Sequence, residues 1–380
     1  MLFLGLASNY RGGDVLRHTF AWGTRQDSEK LRQHLATRYE VDKKHIALYH
    51  NGRSALSVAI KYTVPEHSEV LVVGFTCYAV TEAVKAAKCT PVFADIDPGT
   101  LHYDLKNLKE TLKRHPKTKA IIIQNTLGIP VEIDKIEKAC KKLNLQIIED
   151  LAHCAGVKYP DGREAGTVGD AVALSFGKGK SIDTISGGAV ILRNKNLPYQ
   201  PGKKPKLSDR LRDRWYPVFG VCTRALYHVK IGKYLMSALV KIHWVKPSAD
   251  ATLSQDTRLT HWQARLALRQ FQKLPRGGAK PLRDFYLVKD RTYLYQKLEK
   301  RGYYFRESWY DVPISPARYY EAQHFPEEEC PVATQVASEI INLPTWYPKH
   351  KLRPAVTIIK EHQEIYQKST AKTERSKNES

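Results

Sequence analysis

Apolar and polar positions alternate between two periods along the first half of this chain. From about Asp27 to Tyr39 the spacing is helical, with Leu31, Leu35 and Ala36 on one side. "HIALYH" then reads as a short strand, and "NGRSALSVAIKYTV" as a turn pair opening a helix that carries Leu56, Ala59 and Ile60 on one face. "EVLVVGF" predicts a buried strand, "YAVTEAVKAAK" a helix and "TPVFADID" a strand. The segments "AIIIQN", "LQIIED", "AVALSF" and "GGAVILRN" predict further strands, with the helix "EIDKIEKACKKL" between the first two. Strands alternating with helices predict an α/β domain with a large, mixed and mostly parallel sheet. Ligands of such sheets collect at the carboxyl ends of strands, and Asn51, Thr76, Asn125, Asp150 and Ser175 all fall there.

The pattern changes near Asn194. "NKNLPYQPGKKPKLSDRLRDRW" is polar, basic and proline-bearing, and reads as a loop or linker. Residues 217–246 interleave Phe219, Leu226, Tyr227, Ile231, Leu235, Leu239 and Trp244 with Arg224, Lys230, Lys233, Lys241 and Lys246. That basic amphipathic pattern predicts a helix or helix pair, packed over the active-site mouth, on a partner, or on a membrane surface. "DTRLTHWQARLALRQFQKL" predicts a helix ending before Pro275. The division expected is a large α/β domain over 1–196, an insertion or linker over 197–254, and a helix over 255–282 that continues the large domain or makes a dimer contact. A smaller α+β domain over 283–366 and a disordered tail over 367–380 complete it.

Composition sharpens this picture. The chain has 380 residues, 42% hydrophobic and 26% charged, enough for a large core and two domains. Its net charge of +22 predicts attraction to anions such as phosphates or nucleotides. The charges are spread out and no reading module is visible, so nucleic acid is not expected as a partner. Cys77, Cys89, Cys140, Cys154, Cys222 and Cys330 are scattered without a CxxC pair, which predicts neither a metal site nor a disulfide framework. Reduced thiols, no basic leader and no run of about 18 apolar residues predict a cytoplasmic enzyme, with 217–246 the one candidate for peripheral contact with the inner membrane face.

The chemistry gathers in "SFGKGKSIDTISGG", residues 175–188, where Lys178 and Lys180 sit two apart. Its glycines are too close for a nucleotide P-loop. Asp150 ends the strand "IIED" and could simply cap the next helix. Yet a strand-end Asp followed by a strand-end Ser and a Lys suits pyridoxal 5'-phosphate. That cofactor takes a lysine on its aldehyde and a carboxylate on its ring nitrogen. Its phosphate takes hydroxyls and helix-start amides, which "NGRSAL" could offer through Gly52 and Arg53.

In order, NGRSAL, GFTCYAVTEAV, PVFADID, QNTLGIPVEID, IIEDLAHCAG, SFGKGK, GGAV and RLTHWQARLALRQFQKL resemble the DegT/StrS family of sugar aminotransferases over residues 20–195, and more weakly over 255–350. The resemblance implies the fold-type-I transferase architecture with pyridoxal phosphate as cofactor. Its S-G-T turn falls on Asn51-Gly52-Arg53, next to Ser54, as the phosphate cradle. Its E-D-x-A-[QH] falls on Glu149 to His153, with Asp150 at the pyridine nitrogen and His153 a cofactor contact. Its S-F-x-x-x-K falls on Ser175 to Lys180, making Ser175 a phosphate ligand and Lys180 the covalent and catalytic lysine. Lys178 is left as a solvated loop charge.

The departures are specific. The ring-stacking aromatic after Thr76 is replaced by Cys77, with Tyr78 adjacent. The family's histidine in V-H-L-x-G is Asn125, and Ile185 and Ser186 stand where T-T-G-E-G-G has glycine and an acid. Arg258 resembles the segment that reaches a neighbouring subunit, which implies a homodimer. The resemblance implies transfer of an amino group from an amino acid, glutamate by family expectation, to a nucleotide-linked keto-sugar in cell-surface polysaccharide or glycolipid synthesis. The alternatives are a sugar dehydratase or lyase on the same fold, against which Lys180 argues, and a non-catalytic regulatory member.

Overall fold

The computed structural model describes residues 2–3, 10, 13–193, 197, 200–228, 252–304 and 309–378. Seven strands form the central sheet: β1 (Ile46–Tyr49), β2 (Glu69–Val73), β3 (Thr90–Ala94), β4 (Thr118–Ile123), β5 (Gln146–Asp150), β6 (Ala171–Ser175) and β7 (Gly188–Leu192). Their spatial order is β1-β7-β6-β5-β4-β2-β3. The five strands from β2 to β6 run parallel; β7 pairs antiparallel with β6 and with β1, so β7 is the one reversed strand of the seven. Strands buried on both faces must be apolar throughout, as Val70–Val73, Ala120–Ile123 and Ala189–Leu192 are. Burying each such branched side chain contributes about 1.5–3 kcal/mol.

Helices α2 (Arg25–Tyr39), α3 (Gly52–Thr63), α4 (Tyr78–Ala86), α5 (Leu105–Arg114), α6 (Ile133–Leu143) and α8 (His261–Lys273) surround this sheet. α1 (Gly13–Thr19) and α7 (Leu207–His228) pack together outside it. The order reverses between β2 and β4, so their carboxyl ends open a crevice with those of β5 and β6. A second core, including Leu294, Leu298, Ile341 and Ile359, lies under the antiparallel pair β8 (Arg283–Leu287) and β9 (Ile340–Pro344). Helices α9 (Arg291–Lys300), α10 (Pro331–Glu339) and α11 (Lys349–Asn378) accompany it.

The α/β architecture matches the expectation, while several segments differ from it. The "linker" becomes helical from Leu207, because Leu207, Leu211 and Trp215 recur at one-turn spacing and Asp209 pairs with Arg212 at 2.8 Å. Pro217 sits inside α7 and cannot donate to the Asp213 carbonyl. His18 Nε2 donates to that carbonyl instead, at 2.8 Å, so α1 makes good the missing bond. Helix α11 runs on through 367–378. Leu2–Phe3 pairs with Tyr303–Tyr304, so the N-terminal tip joins the region after α9 rather than the large domain. Ile314–Ser315 pairs with Thr76–Cys77 and carries the C-terminal region to the crevice. Of the basic segment 217–246, everything after His228 lies outside the described residues.

Candidate active site

Strand alternation separates two adjacent carboxylates. Successive side chains on β5 point to opposite faces, so Glu149 and Asp150 diverge. Glu149 is fully buried and accepts from Tyr159 Oη at 2.7 Å, Gly166 N at 2.6 Å and Val168 N at 2.8 Å, a structural role. Asp150 accepts only a short-range bond from Ala152 N at 2.9 Å among those described, and the charge of Lys180 acts on it. Lys180 Nζ donates to Ser175 Oγ at 3.0 Å, at the end of the neighbouring strand β6.

The loop between β6 and β7 aims that lysine. Asp183 accepts from Gly179 N at 2.9 Å and Ile185 N at 3.0 Å, folding the loop about its own carboxylate. Gly179 has φ of 72°, a conformation that favours glycine. The two lysines part company here. Lys180 turns toward Asp150, whereas Lys178 places its Nζ 4.3 Å over the Tyr216 ring of α7. Lys178 is therefore a cation–π partner and not the solvated charge expected of it.

Burial decides the electrostatics. It pushes the Asp150 carboxyl above its usual range, against the pull of Lys180 and the Ala152 amide. It also pulls the Lys180 amine below its ordinary value, aided by Arg53 and opposed by Asp150 and Cys77. A lysine lowered toward neutrality exchanges protons more readily at physiological pH.

An anion cradle faces this pair. Asn51 caps α3, its Oδ1 accepting from Ser54 N at 2.8 Å, so Gly52 and Arg53 fill the first turn. Amides there have no intrahelical acceptor and favour an anion. Gly52 is required by contact: a Cβ at this position would lie 2.5 Å from Ser175 Cβ. Buried Ser54 accepts from Ser254 N at 3.0 Å, which ties the cradle to the segment before α8. An amine, a carboxylate, a hydroxyl and a helix start thus converge at three adjacent element ends. That donor set fits pyridoxal phosphate group by group. Among the described residues, no cluster of three or more His, Cys, Asp or Glu could hold a metal.

The remaining candidates divide. Cys77 caps α4 and lies within electrostatic reach of Lys180. Tyr78 stacks on Tyr319, centroids 4.1 Å apart, with the Arg53 guanidinium 5.2 Å from its ring centroid. It joins the cradle side of the crevice. His153 is buried, accepts from Leu127 N at 3.3 Å and stacks on Trp309 at 4.9 Å. Burial, Lys180 and Arg283 keep it well below the usual histidine range, and therefore neutral. Asn125 is not brought to the group. In its left-handed turn it donates to Tyr159 Oη at 3.1 Å and accepts from Val131 N at 3.1 Å, so its polar atoms serve the core. Arg258 lies against His261 Nε2 at 2.8 Å.

Two groups of residues were not foreseen. Trp309 and Tyr310 enter from the C-terminal region: the Arg283 guanidinium lies 4.3 Å from the Trp309 centroid, and Trp309 covers His153. "SWYD" gave no periodic signal. The second group is buried Asp213 of α7. It accepts from Ser186 Oγ, lies 3.7 Å from His50 Nε2, and receives Gln263 Nε2 at 3.4 Å. His50 precedes Asn51 and Ser186 precedes Gly187, and Asn51 and Gly187 bridge each other. Asp213 thus clamps the two strands that set the anion cradle. Ile185, at φ of 70°, spends about 1–2 kcal/mol of backbone strain to bury its side chain with Tyr10, Val15 and Tyr216.

Residues 16–207 match the DegT/DnrJ/EryC1/StrS aminotransferase family, half of the chain. GDP-perosamine synthase from Escherichia coli O157:H7 is 35% identical over 148 residues, 39% of this chain and 40% of that protein. dTDP-4-amino-4,6-dideoxy-D-glucose transaminase from Shigella dysenteriae is 32% identical over 173 residues, 46% of this chain and 44% of that protein. The matched stretch therefore spans less than half the length of these relatives. Among solved structures, the aminotransferase TlmJ from Streptoalloteichus hindustanus superposes with a TM-score of 0.67 at 17% identity, covering 97% of this chain and all of that one, a likeness of fold.

Proposed function

Because the chain belongs to the DegT/DnrJ/EryC1/StrS aminotransferase family, we propose that it is a pyridoxal-phosphate-dependent aminotransferase acting on a nucleotide-linked keto-sugar. The observation that carries this reading is Lys180, its amine 3.0 Å from Ser175 Oγ and paired electrostatically with Asp150. Pyridoxal phosphate, when bound, supplies an aldehyde for the donor's nitrogen and a ring that stores the electron pair released at the donor carbon. Gly52, Arg53, Ser54 and Ser175 would hold its phosphate. Asp150 would keep a proton on its ring nitrogen.

The rest is the work of this chain's own groups. Lys180 would take the proton from the donor carbon on its Nζ and give a proton back, as general base and then general acid. Neutral His153, fixed by Trp309 and the Leu127 amide, would border the cofactor without adding positive charge beside it. The balance is simple: the amino acid leaves as its keto acid, and the keto-sugar leaves as the amino-sugar. Glutamate is the donor proposed. Arg53 and the net charge of +22 suit a diphosphate-bearing sugar. A homodimer would bring Arg258 to the neighbouring site. No described helix is long and apolar enough to cross a membrane.

The test is a screen of GDP- and dTDP-linked keto-sugars with glutamate, following amine formation by mass. Amination of at least one, dependent on pyridoxal phosphate, is expected. A purified protein that neither takes up the cofactor nor aminates any keto-sugar would overturn the reading.

A further inference from the structure

Nine large apolar side chains are strongly exposed among the described residues, and seven of them lie on α1, the turn after it, and α7. Leu16 is 62% exposed, Phe20 70% and Trp22 61%. On α7, Leu207, Leu211 and Trp215 recur every fourth residue and form one stripe, which a buried helix would hide. The adjacent stripe carries Lys206, Arg210 and Arg214. Arg214 donates to the Ala21 carbonyl at 3.0 Å, which brings the turn bearing Phe20 and Trp22 up to the same helix. Two apolar surfaces thus meet beside a row of cations.

We propose that this face docks on an anionic lipid surface. Phe20, Trp22, Leu211 and Trp215 enter the boundary between headgroups and acyl chains, while Lys206 and Arg210 meet lipid phosphates. Aromatic anchors beside a cationic stripe are what an interfacial helix needs. Charge separates this occupant from a second copy of the chain. A two-fold contact would set this cationic face against the same cationic face of another copy, whereas an anionic bilayer complements its charge. The face is also rigidly tied to the catalytic loop. The opposite side of α7 holds Asp213 against Ser186, and Tyr216 under Lys178. Docking would therefore fix the orientation of the crevice relative to the bilayer. This inference stands whether or not the proposed reaction is correct.

The test is flotation of the full chain with vesicles of phosphatidylcholine containing about a third phosphatidylglycerol, against phosphatidylcholine alone. Flotation with the anionic vesicles only, weakened by salt, is expected. A Phe20→Ser/Trp215→Ser variant should lose roughly tenfold in bound fraction. Lys206→Glu/Arg210→Glu, at exposed positions that leave folding intact, should lose as much. Millimolar inorganic phosphate should not compete. Wild-type protein left at the bottom with anionic vesicles at low salt overturns the proposal, as does full competition by phosphate. Undiminished flotation of both variants would move the contact elsewhere and overturn it too. Light scattering that shows a wild-type dimer and a Phe20→Ser/Trp215→Ser monomer would give the face to a second copy.

Discussion

The crevice at the ends of β5 and β6 and the α1–α7 layer outside it are built on opposite rules. In the crevice, polar groups stand at strand ends: sheet register sets Asp150 and Ser175 at neighbouring ends, and the loop folded about Asp183 brings Lys180 to them. In the outer layer, local rules are broken and then repaired from a distance. Pro217 leaves a carbonyl without its helical donor, and His18 supplies one. Ile185 adopts a left-handed backbone, and its burial offsets the strain. Asp213 is a carboxylate in the interior, held by Ser186, Gln263 and His50. The lesson is that the reacting groups ride on the ends of the sheet, while the outer layer holds the segments that carry them from behind.

Three substitutions sharpen that contrast. The largest effect belongs to the crevice. Asp150→Asn should cut the half-reaction with glutamate by about a thousandfold, because the ring nitrogen loses its anionic partner, while the melting temperature changes little. A near-normal rate would remove Asp150 from the chemistry.

The next effect belongs to the layer and depends on pH. Burial lowers His18 from its ordinary 6.5 to about 4. The folded state keeps His18 neutral where the unfolded chain already binds a proton. Its contribution to stability is therefore complete above pH 6.5 and is lost as pH falls toward 4, about 3 kcal/mol across that window. His18→Gln keeps a donor for the Asp213 carbonyl but cannot titrate, so its melting temperature should fall less steeply with acid. Parallel wild-type and variant profiles would contradict this.

The smallest effect joins the two regions. Asp213→Asn should weaken pyridoxal-phosphate affinity roughly tenfold, with the rate at saturating cofactor nearly unchanged, since Asp213 positions the cradle without touching it. Spectrophotometric titration of the apoprotein reads this directly. An unchanged affinity would detach the layer from the site.

What the chain discloses before folding follows the same division. Runs such as "IIIQN" and "QIIED" announce strands whose ends are polar, so Asp150, Ser175 and Lys180 are legible as a set. Helix α5 is harder to see, since its charged sequence buries only Leu108 and Thr111. Asn125 sits at a strand end like the others, but its left-handed turn points its amide at Tyr159 and the core. Trp309, Tyr310 and Asp213 reach the site through contacts between residues far apart in sequence, with no periodicity to mark them. The first half of α7, before Pro217, is hidden by the polar, basic composition that reads as a linker. Long-range repair of this kind has no local signature.

The central claim is that Lys180, and not its neighbour two residues earlier, is the lysine on which the chemistry turns. The protein loaded with pyridoxal phosphate, treated with borohydride, digested and mapped by mass spectrometry decides it. The account predicts a pyridoxyl label on Lys180 and an unlabelled Lys178 held over Tyr216. A label on Lys178, or none on either lysine, would contradict it.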